Sequence, residues 1–331
     1  MSALFKRKKE EGNTVLLLDV ENGSVGSALV RLSPHEAPRL FGETRVQIPL
    51  LKTHAPGSIT KEIEQAARHA LDHVAQVAAR VRVHSSESVG TVAHTAVFMS
   101  PPWATLNLGY DTVPHPITQS IYNSLVTLLG PAVSTSFHPF ATATAHMVPS
   151  LFPHEERYLL CVVSGEVMEM IALERSEWDS QVLGHATIPF GRNSIMRTLK
   201  AHGGLSVGEA LSALKLVRHG HMSPMHEPLT SLAVHIGAEF DEVARELATG
   251  GTLRSVFVVA EEPVGEWFAR SLADHASLET LFPEGGTVRA VRGSHISPFI
   301  AIHAHKPDIA LLLEALFIDA RLPKAKVEAI R

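Results

Sequence analysis

The chain has 331 residues, enough for about two domains of ordinary size, and its 45% hydrophobic content can supply their cores. A net charge of −5 excludes a global attraction to nucleic acid or to an anionic membrane surface, and a single cysteine, Cys161, excludes an intrachain disulfide. No run approaches the roughly 18 apolar residues of a spanning helix; the best candidate, IALLLEALFI from Ile309, is short and interrupted by Glu314.

The chain opens on MSALFKRKKEEGN, positive charge with no hydrophobic core behind it, which predicts a solvated basic tail over residues 1–12 and no signal peptide. LLLDVENGSVGSALVRLS (16–33) then reads as strand, turn and strand, and RVQIPL (45–50) as a third strand. Pro56-Gly57 marks a turn before a long helix from Ser58, where Ile63, Ala66, Ala67, Ala70, Leu71, Val74, Val77, Ala78 and Val81 recur at steps of three and four. VAHTAVFMS (92–100) is a strand that stops at Pro101-Pro102. Residues 103–148 are rich in Pro, Thr, Ser and His, with one helical patch, SIYNSLVTLLG, closed by Gly130 and Pro131. Strands return at RYLLCVV, EMIALER and HATIPF, and the first of these makes Cys161 a buried, inert thiol. Helices follow at Asn193 to His202, over SVGEALSALKLVRHG as far as Gly220, and from Leu229 to Ala248. In the last of these Leu232, Ile236, Phe240, Val243 and Leu247 point inward, and Thr249-Gly250-Gly251 announces its end. The strand SVFVVA (255–260), the helix VGEWFARSLADH, a strand at TVRAV and the helix PDIALLLEALFIDAR complete an α/β alternation.

Residues 16–33 align without gaps on LLCVVSGEVMEMIALERS (159–176): Leu16 meets Leu159, Val20 meets Val163, and the turn Glu21-Asn22-Gly23 meets Ser164-Gly165-Glu166. Two such hairpins facing one another would border a cleft. Small residues in tight turns expose backbone N–H groups that suit an anion, and a strand-end carboxylate such as Asp19 suits Mg²⁺ held through water. Alone, Asp19 also reads as the solvated end of a strand.

DVENGSVGSAL, VVSGEVMEMIAL with the trailing IPFGRNSIMRTL, and VFVVAEEPVGEWFARSL together resemble, in order and spacing, the phosphate-1, phosphate-2 and adenosine segments of the actin-like ATPase superfamily. SVGEALSALKLV resembles the short helix before the helix that leads into the third segment. Within that superfamily the chain is most similar to PilM proteins of type IV pilus assembly and to the division protein FtsA. The resemblance implies a bilobed α/β, ribonuclease H-like fold of two duplicated sheet-plus-helices lobes. Residues 13–85 would begin lobe I, 86–150 would form a small inserted 1C-type subdomain, 151–300 lobe II, and 301–331 a helix returning to lobe I. It further implies ATP or ADP with Mg, bordered by Asp19, Asn22, Gly23 and Ser24 on one side and Ser164, Gly165 and Glu166 on the other. Glu261 and Glu262 would lie near the nucleoside, with Asp19 holding the metal through water. A PilN-like membrane-anchored partner would dock a short peptide beside the 1C-type subdomain, where Trp103 falls, and would keep this cytoplasmic chain at the membrane. Self-association is a further implication, and nucleic acid is not expected.

The departures point away from turnover. Glu21 replaces a frequent glycine, Gly26 a frequent basic residue, Val162 the phosphate-2 Asp, and Met168-Glu169 the closing Thr-Asp; Ala260-Glu261-Glu262-Pro263 stands where paired glycines are usual. Glu169 keeps a carboxylate near the site unless its strand turns it to the other face. The reading is a pseudo-ATPase adaptor, with a phosphotransferase of the same superfamily, or a nucleotide-free scaffold, as rivals. Among 20 histidines the densest run, His219 to His226 with Met222 and Met225, has ligand types suited to copper but no completed set, and His69 and His73 read as a solvated helix face. Trp103 and Trp267 read as packing residues.

Overall fold

In the computed structural model the first two apolar runs pair as expected. Residues 13–50, 58–84, 91–104, 106, 116–131, 133–175, 180–218, 226–248, 253–282, 285–302 and 307–321 are described. β1 (Asn13–Val20) and β2 (Ser24–Ser33) form an antiparallel hairpin in which Leu17 and Leu18, on opposite faces, are both fully buried. A strand apolar on both faces requires cover on both. Outer cover comes from α1 (Ser58–His84), which packs Ile63, Ala66, Ala67 and Ala70 with Leu18, Val20 and Val25.

The remaining elements follow in two matching sets. β3 (Glu36–Gln47) returns beside β2; β4 (Val92–Met99) pairs parallel with β1; α2 (Pro116–Leu129) leads to β5 (Ser134–Pro139), parallel with β4, and α3 (Phe140–Leu151) follows. The second set begins with the meander β6 (Arg157–Val163), β7 (Met168–Arg175) and β8 (Ser180–Ile188). After α4 (Arg192–Gly203), α5 (Val207–Arg218) and α6 (His226–Leu247), β9 (Ser255–Val259) pairs parallel with β6. Then come α7 (Val264–His275), α8 (Leu278–Leu281), β10 (Thr287–Ala290) parallel with β9, α9 (Gly293–Ile296), β11 (Ala301–Ile302) and α10 (Ile309–Arg321). The sheets have the orders β11-β3-β2-β1-β4-β5 and β10-β9-β6-β7-β8. In each, a three-strand antiparallel meander is extended in parallel from its first strand, so the fold is a bilobed α/β duplication.

Two helices lie between the lobes. One apolar cluster joins Val15, Leu17 and Phe98 of the first sheet, Leu160, Val162 and Ile171 of the second, and the buried residues of α3 and α10. Position between two sheets explains why α10 is apolar nearly all round. The other face of the second sheet packs on α4 to α7.

Several boundaries differ from expectation. β3 begins at Glu36 and ends at Gln47, not 45–50, because pairing with β2 carries it through Pro38 and Gly42. Within residues 86–150, expected as an inserted subdomain, β4 and β5 are strands of the first sheet and α3 packs between the sheets. Trp103 is buried in the outer core with Ile63 and Leu125, Trp267 packs partly buried on the second sheet's outer core, and Cys161 is fully buried. Residues 1–12, Pro56-Gly57, Gly250-Gly251 and the run His219–Met225 lie outside the described residues; His226 begins α6. Among the described residues no helix is long and apolar enough to cross a membrane, and no three His, Cys, Asp or Glu side chains group as metal ligands.

Candidate functional site

Three neighbouring strands place the charges at the first hairpin. Asp19 of β1 is opposite Gly26 of β2, and Gly26 is opposite Arg45 of β3. Directly opposed residues share a face, so the missing side chain at Gly26 opens a path along which Arg45 reaches Asp19. A Cβ at Gly26 would stand 2.8 Å from the guanidinium. Arg45 contacts Asp19 Oδ2 at 2.5 Å and Asp308, at the start of α10, through Nε at 2.5 Å. It also donates to Ser24 Oγ at 2.9 Å and lies 3.5 Å from Glu21 Oε1. The basic residue that the resemblance leads one to expect after the hairpin is thus absent at Gly26, while one arrives from the adjacent strand.

One guanidinium is shared among several carboxylates. Burial pushes Asp19 up to about 7, with Glu21 and Asp308 adding to the rise and Arg45 opposing it. Glu21 is raised first by burial, and Glu314 of α10, with neither oxygen bonded among the described residues, is pushed well above the usual range by burial and by the charge of Asp19. Desolvation is the common cause, because taking charge out of water is costly unless it is fully paired.

The second hairpin turn, Ser164 to Val167, packs directly on the first. The Glu166 N–H donates to Asn22 Oδ1 at 3.1 Å. A Cβ at Gly165 would collide with that same oxygen and come within 2.8 Å of the Gly23 nitrogen. Behind them, the N-terminus of α4 is closed by backbone: Arg192 N–H donates to Ser164 O at 2.9 Å and Asn193 N–H to Gly165 O at 2.7 Å. Side chains complete the lock. Arg192 meets Glu261 Oε1 at 3.1 Å, Asn193 Nδ2 donates to Glu166 Oε1 at 2.8 Å, and Arg197 takes both Glu166 oxygens at 2.5 and 2.7 Å.

Asp19, Asn22, Gly23, Ser24, Ser164, Gly165, Glu166 and Glu261 therefore meet at one place, whereas Glu262 stands before α7 and outside these contacts. Glu169 is buried opposite Val162, where His185 and the Leu106 N–H take its carboxylate. Arg45, Arg192, Asp308 and Glu314 were not anticipated. The glycine at 26 was the available signal for Arg45, but using it requires the register of β3.

The space that remains is a cavity of about 20 Å³ lined by Glu21, Arg45, Phe140, Val163, Val259, Ala260, Glu261, Asp308 and Ala310. That is near the room one water needs. The donor set is wrong as well as small: the carboxylates of Glu21, Glu261 and Asp308 line the space against one guanidinium, Arg45, which already holds Asp19. In this arrangement the residues do not fit a magnesium nucleotide.

No protein-family model matches the chain, and no curated protein matches it in sequence at a significant level. Solved structures do match. The PilM-PilN type IV pilus biogenesis complex matches with a TM-score of 0.58 and 11% identity, over 93% of this chain and 98% of that one. The chain has an actin-like fold. The ethanolamine utilization protein EutJ of Carboxydothermus hydrogenoformans matches at 0.53 and 11%, over 92% and 89% of the two chains. A Bacteroides thetaiotaomicron protein described as having an actin-like ATPase fold matches at 0.44 and 10%, over 92% and 95%. Coverage at both ends of the first two comparisons shows that the likeness is to the whole bilobed arrangement and not to one sheet.

Proposed function

We propose that this chain is a PilM-type adaptor that links a membrane-anchored partner to an assembly on the cytoplasmic side, and that it does so without turning over nucleotide. The observation that carries the reading is the Arg45–Asp19 contact inside a closed cleft. Hydrolysis needs a free carboxylate to order metal or attacking water. Here Asp19 is engaged, Val162 contributes none, and Glu169 is held by His185. A partner that favours one angle between the lobes would act through the two hairpins, whose contact is one joint between the lobes beside the apolar core around α3 and α10.

Two measurements test this. Phosphate release with Mg²⁺ and ATP should stay at the level of a heat-inactivated control, and calorimetry should show no binding heat. Sustained turnover would overturn the adaptor reading in favour of a phosphotransferase or ATPase. Crosslinking in intact cells should recover a membrane-anchored protein with a short cytoplasmic segment, and recovery of soluble partners alone would count against membrane linkage.

A further inference from the structure

The second sheet ends on β10, which among the described residues pairs with β9 alone. Thr287 N–H donates to Arg254 O and Val291 N–H to Val258 O, both on the β9 side. Successive backbone groups of a strand point to opposite edges, so the N–H and C=O groups of Val288 and Ala290 point away from β9, with Val288 half-buried and Ala290 buried against the core. Beside them lies a groove of about 410 Å³ between β10 and α7. Its apolar lining is small, Ala269, Ala273, Val288 and Ala290, and its charged lining is mostly of one sign, Arg270, Arg289 and Arg292 against Glu266.

Arginines outnumber acidic residues in the groove's lining, in a chain that is negative overall. Arg289 and Arg292 are 49% and 51% exposed, and reach Glu155 at 3.6 Å and Glu266 at 3.1 Å. The glutamate partners are only 18% and 10% exposed and keep their arginines, but about half of each arginine side chain still faces water, where its remaining N–H donors can meet an incoming carboxylate. His295 registers the field: its imidazolium is disfavoured by burial and then by Arg292 and Arg289. Charges on an edge strand keep like edges apart, and a set of one sign selects the opposite sign.

We propose that this groove binds an extended acidic peptide segment, which adds to the second sheet as a strand beyond β10. Main-chain bonds go to Val288 and Ala290, small apolar side chains pack toward Ala269 and Ala273, and alternate carboxylates reach Arg289, with Arg270 and Arg292 at the rim. Strand addition draws affinity from the backbone and specificity from alternate side chains, and this groove supplies both. The groove shares no lining residue with the hairpin cleft, so it stands or falls independently of the adaptor reading.

The test uses the full chain and a fluorescent peptide of alternating glutamate and valine. Anisotropy should report salt-sensitive binding, and amide exchange at Val288 and Ala290 should slow when the peptide is present. The double substitution Arg289→Glu with Arg292→Glu should weaken binding about tenfold or more, and the milder pair Arg289→Gln with Arg292→Gln should give a smaller loss with the circular dichroism unchanged. Absence of peptide binding, equal affinity for a lysine–valine peptide, insensitivity to the charge reversal, or binding of single-stranded oligothymidine in place of the peptide would each overturn the proposal. Phosphate release and nucleotide calorimetry do not read this groove, so failure here leaves the cleft reading untouched, and the reverse.

Discussion

Replacing Arg45 by methionine keeps much of the stem while removing the charge that Asp19, Asp308 and Glu21 share. Asp19 is fully buried and the Arg45 side chain only 10% exposed, so the carboxylates left behind have little access to water. Breaking a buried pair from one side costs about 3–5 kcal/mol. That cost should depend on pH. Asp19 is raised to about 7 in the fold, so its favourable contribution is complete below the unfolded value near 4 and is lost as pH rises through about 7. Glu21 and Glu314 are raised in the same sense. Without Arg45 these groups hold their protons to still higher pH, and every tenfold gain in proton affinity is worth about 1.4 kcal/mol. Urea unfolding should therefore find a smaller deficit for the variant at about pH 5, where the contact to Asp308 is still lost, and the full 3–5 kcal/mol, roughly, at about pH 8. A difference that is the same at both pH values, or under about 1 kcal/mol at the higher one, would refute the shared-charge account.

Other outcomes follow from the same geometry. Gly165→Ala should lose about 1–3 kcal/mol, because its Cβ meets Asn22 and the Gly23 nitrogen; Gly208→Ala on α5, with nothing within 4 Å, should be neutral or gain up to about 1 kcal/mol. Thermal melts of the pair would expose an error if both behave alike. Cys161 is fully buried and burial pushes its thiol up, so iodoacetamide should label it only after denaturation, and rapid native labelling would contradict that burial. Ala143→Leu on α3, a fully buried position between the sheets, should cost about 1–3 kcal/mol or more by overpacking, read as a lower urea midpoint; no change would mean that the lobes separate easily there.

Local pattern was enough for much of the architecture. The spacing of Ile63, Ala66, Ala67, Ala70 and Val74 specifies α1, and the apolar runs around Leu17 and Leu160 specify strands buried on both faces. The hairpin repeat was legible because turn chemistry is local, and its two copies do occupy equivalent places in the two sheets. The stretch that became β5 and α3 was not legible. SFHPFATATAHMVPS mixes Pro, His and Thr with small residues, and its helix has almost no polar face because both sides are buried between sheets. Periodicity has nothing to mark in such a helix.

The sequence by itself determined which segments carry charge, turn and apolar surface, and it placed Asp19, Asn22, Gly23 and Ser164 to Glu166 on facing hairpins. Only the tertiary structure decided what those residues do together. Arg45 finds Asp19 because two successive strand registers line them up across Gly26, Asp308 arrives from 263 positions along the chain, and Glu314 shares the site because α10 threads between the lobes. Ion pairing and desolvation depend on distance and burial, and a linear order of residues contains neither.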